Sequence, residues 1–124
     1  MENQPPLPVS VSQASVRTWN VLCHAAALLG VFSHFMGHIL GPLIVWLAKR
    51  GDAAEIDAHG KESLNFQLTW LIYDIIAGIL CIFLIGIPIL IALWIANIVL
   101  VIIASIKASE GILYRYPLTI RFLN

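Results

Sequence analysis

The stretch Leu64–Leu84 is 21 residues of predominantly apolar character, and its single charged residue, Asp74, lies ten positions from either end. As a helix it spans about 32 Å, which matches the hydrocarbon thickness of a bilayer. The uncharged break Ile85-Gly86-Ile87-Pro88 follows, and then a second apolar run, Pro88–Ile106, in which proline suits a first helical turn. Two spans joined this tightly predict an antiparallel helical hairpin. Composition agrees: 60% of residues are hydrophobic, 11% are charged and the mean hydropathy is +0.89. An ordinary soluble domain carries about 25% charged residues. The chain therefore reads as one small all-α integral membrane domain.

The region Trp19–Ala48 admits two readings. One continuous helix would be about 45 Å long and would need strong tilt. It would also carry Ser33, His34 and His38 near mid-membrane, where polar groups cost most. Two shorter helices, about 18–35 and 38–50, would move that polar patch to an interface. Charge favours two. Arg17, Lys49, Arg50, Lys61, Lys107, Arg115 and Arg121 then all fall on one side, which the positive-inside rule makes cytoplasmic. The expected architecture is a four-helix membrane bundle of two hairpins, with helices at about 18–35, 38–50, 64–84 and 88–108. Both termini are expected in the cytoplasm of a bacterial inner membrane protein.

Residues 1–16 lack the basic start of a signal peptide, and Pro5, Pro6 and Pro8 break any helix. They are expected to form a disordered tail before a single domain, 17–124. The polar loop Lys49–Ser63 has capping-box spacing at Asp52 and Glu55, which allows a short cytoplasmic surface helix. Cys23 and Cys81 lie in apolar stretches without metal spacing and read as small buried residues. Zero net charge gives no reason to expect nucleic acid as a partner.

Several pieces in chain order resemble a family of small bacterial membrane proteins of unknown function, relatives of the Tic import component of the chloroplast inner envelope. They are His24 with Leu28-Leu29-Gly30, then Gly41 to Leu47, Asp57 to Glu62, Leu64 to Gln67, and Gly111 to Leu118. The resemblance implies a four-helix membrane domain and supports two helices over 18–50. It implies no reaction, and it carries no functional residue onto this chain. Asp74 is not among the matching pieces.

Helical periodicity puts Gln67, Leu71, Asp74, Gly78 and Cys81 on one narrow face. Asp74 lies twelve residues before Gly86 and Asn97 eleven after it, so the two are expected to pair at mid-membrane. A structural clasp is the plainer role, and proton or cation handling the sharper one. His24, Asn65, Gln67 and Ser105 are expected to form a second polar layer near the cytoplasmic side, satisfying one another or opening a ligand mouth. His34 and His38 have the i, i+4 spacing of metal ligands, but two ligands make a poor site and no metal or other cofactor is expected. No nucleophile–base arrangement and no phosphate loop is present, so no enzyme is expected. The expected role is a structural or interaction protein in the lipid bilayer, associating with other membrane proteins or with itself. The alternatives are a pore or translocation component, or a minimal ion-coupled transporter using Asp74.

Overall fold

The computed structural model describes residues 12–33 and 35–124, with the side chain of Phe35 left out. The expected tail lies outside the described residues as far as position 11. Its last residues are helical: α1 (Gln13–Ala25) begins where Ser12 accepts the Ser15 N–H at 3.1 Å, the ordinary use of serine at an N-cap. The chain continues through a 3₁₀ turn (Ala26–Leu29) into α2 (Gly30–Ser33).

α3 (Phe35–Lys49) returns antiparallel to this first arm. Gly37 lies on the Leu29–Gly30 backbone and Gly41 on the Ala26 carbonyl, so closely that a Cβ at either position would collide. Glycine is what lets the two backbones approach. Residues 18–50 thus form two arms, not one continuous helix.

α4 (Ala54–Leu80) starts after a short turn, with Glu55 and Asp57 in its first turn where the helix dipole favours acids. The short surface helix allowed by the sequence is therefore not separate. It is the start of α4, because no proline interrupts residues 54–80. A 3₁₀ turn (Cys81–Phe83) and Leu84 in the left-handed region (φ 63°) reverse the chain into α5 (Gly86–Ser109). Gly86 packs on the Ala77 carbonyl and the Cys81 amide, which puts the apex of the hairpin at 82–84.

Gly111, at φ 81°, ends α5. Its N–H donates to the Ala108 carbonyl at 3.0 Å, and the Ile112 N–H to the Lys107 carbonyl at 2.9 Å, a left-handed glycine cap. Residues 112–124 follow without regular structure and lie along α4. No strand occurs among the described residues. The core joins Ala27, Phe66, Trp70, Val101, Ala104 and Tyr116, with Phe66 and Tyr116 stacked at 4.0 Å.

The radial pattern is unusual. Asn20, His24, His59, Glu62, Asn65, Gln67, Thr69 and Asn97 are buried, while Ile75, Ile76, Ile79, Ile91, Ile95 and Val99 are exposed. α4 with its 3₁₀ extension (Ala54–Phe83) and α5 are both long and apolar enough to cross a membrane, their most apolar stretches having mean hydropathies of 1.9 and 2.9.

Candidate functional site

The buried polar groups fall into three sets along α4. At the pole that holds Lys49, Arg50 and Lys61, His59 projects inward from the polar first turns of α4 and meets His24 of α1. His24 Nε2 lies 3.0 Å from His59 Nδ1, and His24 Nδ1 lies 2.9 Å from the Tyr116 hydroxyl. The chain Tyr116–His24–His59 is satisfied when each donates in turn along one direction. Burial, with the Glu62 carboxylate next, holds the Tyr116 hydroxyl well above its ordinary pKa. Tyr116 thus stays protonated, and its hydroxyl donates to His24 Nδ1 or accepts from it according to the imidazole tautomer.

The second set fastens the tail. Glu62, Asn65, Thr69 and Tyr73 are spaced by three, four and four residues, an arc of about 80° on a helix. Each binds the tail backbone. Glu62 Oε1 accepts the Tyr116 N–H at 2.7 Å and the Arg121 guanidinium at 2.9 Å, while Arg115 lies 3.3 Å from Oε2. Asn65 exchanges two bonds with Leu123, accepting its N–H at 2.7 Å and donating to its carbonyl at 2.9 Å. Thr69 accepts the Ile120 N–H at 2.9 Å, and Tyr73 donates to the Leu118 carbonyl at 2.6 Å. The tail thus descends from Tyr116 to its turn at Pro117–Leu118 and climbs back past Thr69 and Asn65. These bonds satisfy backbone polar groups that the tail, without regular structure, cannot pair within itself.

The third set holds the hairpin of α4 and α5. Gln67 and Asn97 exchange amide hydrogen bonds at 3.0 and 3.4 Å. The expected Asp74–Asn97 pair is corrected by this geometry. Counting from Gly86 set Asp74 level with Asn97, but with the apex at 82–84 the residue level with Asn97 is Gln67. The Trp70 N–H, bound to the Leu93 carbonyl at 2.9 Å, keeps the same register. Asp74 is half-buried and lines a cleft of about 280 Å³ between α3, α4 and α5. Trp70, Trp94, His38, Gln67 and Asn97 share that cleft.

The expected layer of His24, Asn65, Gln67 and Ser105 does not assemble as one group. His24 joins His59, Asn65 holds the tail, Gln67 joins Asn97, and Ser105 donates to the Val101 carbonyl of its own helix at 2.8 Å. His59, although it lies in the polar stretch 49–63 of the sequence, is 3% exposed. Glu62, Thr69, Tyr73 and Tyr116 were not singled out from the sequence, although the α4 spacing could have shown the first three. No group of three or more metal-ligating side chains occurs among the described residues.

A family model described as the magnetosome magnetite crystal formation protein family (MamF/MmsF) matches residues 15–123, and the chain belongs to that family. The match is to a bacterial magnetosome family, and the relationship to a chloroplast import component is not part of it. No curated protein and no solved structure matches the chain.

Proposed function

We propose that this member of the magnetosome magnetite crystal formation family is a small integral membrane protein of the magnetosome membrane, with a structural and accessory part in crystal formation. One observation carries the membrane reading. The two long apolar helices turn most of their surface outward, only 28% and 17% of their most apolar windows being buried, while amides, histidines and a glutamate lie inside, beside the apolar core. The core helix of a soluble protein would be mostly buried. A bundle with isoleucine outside and paired polar groups inside suits lipid as its solvent.

The charge distribution supports an orientation. Residues 34–48 and 75–106 contain no Asp, Glu, Lys or Arg, so every charged side chain from Arg17 to Arg121 except Asp74 belongs to one pole of the bundle. By the positive-inside rule that pole, with both termini and the 49–63 connection, faces the cytoplasm. Around 33–38 and 81–88 the sequence holds no acidic side chain to offer a growing mineral at the opposite pole. Acidic templating of crystal by this face is therefore no part of the proposal. The role proposed is to join other membrane proteins, or further copies of itself, through the charged pole and the apolar flanks.

No reaction is assigned, because His24, His59, Tyr116 and Glu62 direct their polar atoms at one another and at the tail. Removal of the gene should change crystal size or number without preventing the membrane compartment from forming. Mild-detergent affinity purification should return a stable set of membrane partners. Cysteines introduced at Ala14 and Gly51 in a cysteine-free background should label from the cytoplasmic face alone. Labelling of Ala14→Cys from the other face would refute the orientation. Ion or protein flux through proteoliposomes would favour a pore or a transporter over a scaffold.

A further inference from the structure

The Asp74 cleft is not explained by a structural role. Asp74 takes part in no hydrogen bond or ion pair among the described residues. Its counterpart in the expected pair, Asn97, is engaged by Gln67. No Lys or Arg occurs between Lys61 and Lys107, so the chain itself offers no counter-charge at this depth. An isolated carboxylate in an apolar segment is costly and favours any cation that can reach it.

The walls select the kind of cation. Trp94 of α5 is 45% exposed, and Trp70 of α4 lies in the same wall. Indole faces attract cations, and large apolar ones above all, because these shed little hydration on leaving water. The cleft is otherwise mainly apolar, with His38 of α3 and the Gln67–Asn97 amides as its remaining polar groups. A hydrated metal ion would find one carboxylate and one imidazole, too few ligands to replace its water. At about 280 Å³ the cleft is just below the usual range of small-molecule pockets, about 300–1,000 Å³.

We propose that this cleft binds a lipophilic organic cation, with the charge against Asp74 and the apolar body on Trp94. The site is a property of the bundle alone. It stands or falls independently of which complex the protein joins.

The test uses the full chain in nanodiscs of zwitterionic lipid, with radiolabelled tetraphenylphosphonium as probe. Tetraphenylborate, of nearly the same shape and opposite charge, is the control, and empty nanodiscs give the partition background. The expected result is saturable binding of the cation at one site per chain, with no saturable binding of the anion. Asp74→Asn should weaken binding at least ten-fold, Asp74→Glu should retain most of it, and Trp94→Leu should weaken it several-fold. Equal binding of cation and anion, or an unchanged affinity in Asp74→Asn, would overturn the proposal. So would the absence of saturable binding, the result expected if an acyl chain or a second copy fills the cleft. Should Asp74→Asn fail to fold, the comparison of cation with anion on the unaltered protein and the Trp94→Leu affinity decide the matter.

Discussion

Replacing Asn65 with leucine isolates the fastening of the tail. The substitution keeps side-chain volume roughly constant and removes two hydrogen bonds to Leu123, at 2.7 and 2.9 Å. A bond of this kind contributes about 1 kcal/mol net. Leu123 is only half-buried and lies next to the exposed end of the chain, so its freed N–H and C=O can find water. No further penalty for a buried orphan group applies, and the loss is about 2 kcal/mol. At about 1.4 kcal/mol per decade, local opening of the tail end should become roughly 30-fold more frequent. Amide hydrogen exchange of the protein in nanodiscs reads this directly, because exchange at Leu123 follows local opening and not global unfolding. Exchange at Leu123 should accelerate roughly 30-fold. Tyr116, still held by Glu62, and Val101 in the core should change little. Asn65→Asp keeps the acceptor and loses the donor, so it should give a smaller acceleration. Should Leu123 exchange be unaltered in Asn65→Leu, or should Val101 accelerate equally, the tail is not held by this residue and the reasoning fails.

Three further outcomes follow from the same geometry. Gln67→Leu strands the Asn97 amide, which is 4% exposed, and should lower the melting temperature in detergent. The double change with Asn97→Leu should recover most of the loss, since intramembrane bonds average only about 0.6 kcal/mol and an unpaired group costs more than a missing pair; a double variant as unstable as the sum of the singles would contradict the pairing. Gly41→Ala should destabilise by about 1–3 kcal/mol through collision with the Ala26 carbonyl, whereas Gly51→Ala, which meets nothing within 4 Å, should be near neutral in the same unfolding assay. In a spectrophotometric titration of the three tyrosines, Tyr116 should resist ionisation while the fold holds, and Tyr116→Phe should abolish the resistant fraction. Its pKa is raised in the folded state, so the unfolded chain loses this proton first, and stability should fall as pH climbs through about 10.

Hydropathy and charge carried the sequence reading a long way, because they report on whole helices. The apolar run at 64–84 covers the later part of α4 and the 3₁₀ turn that follows it, the run at 88–106 lies within α5, and glycines at 37 and 41 allow the first two arms to close on each other. What the sequence did not show was the register of the hairpin, the separate partners of His24, Asn65, Gln67 and Ser105, and the fastening of the tail. The level of Asn97 depends on where the chain reverses. Gly86 looked like the apex because glycine and proline surround it. In the structure Gly86 already belongs to α5, and the reversal uses a left-handed leucine, which has no sequence signature. The tail failed for a different reason. Glu62, Asn65, Thr69 and Tyr73 bond to backbone atoms, and backbone atoms look the same in every sequence. Yet the stripe itself was visible. Four polar side chains at helical spacing, running into an apolar segment, need partners at every level. α5 offers only Asn97 over the same depth, and Gln67 takes that, while Asn20 and His24 of α1 turn to Glu55 and His59. In the structure the partner is non-helical chain, the segment 111–124. A polar helix stripe without a side-chain counterpart can thus be read as a docking track for irregular backbone, and here the track leads from Glu62 to the turn at Leu118.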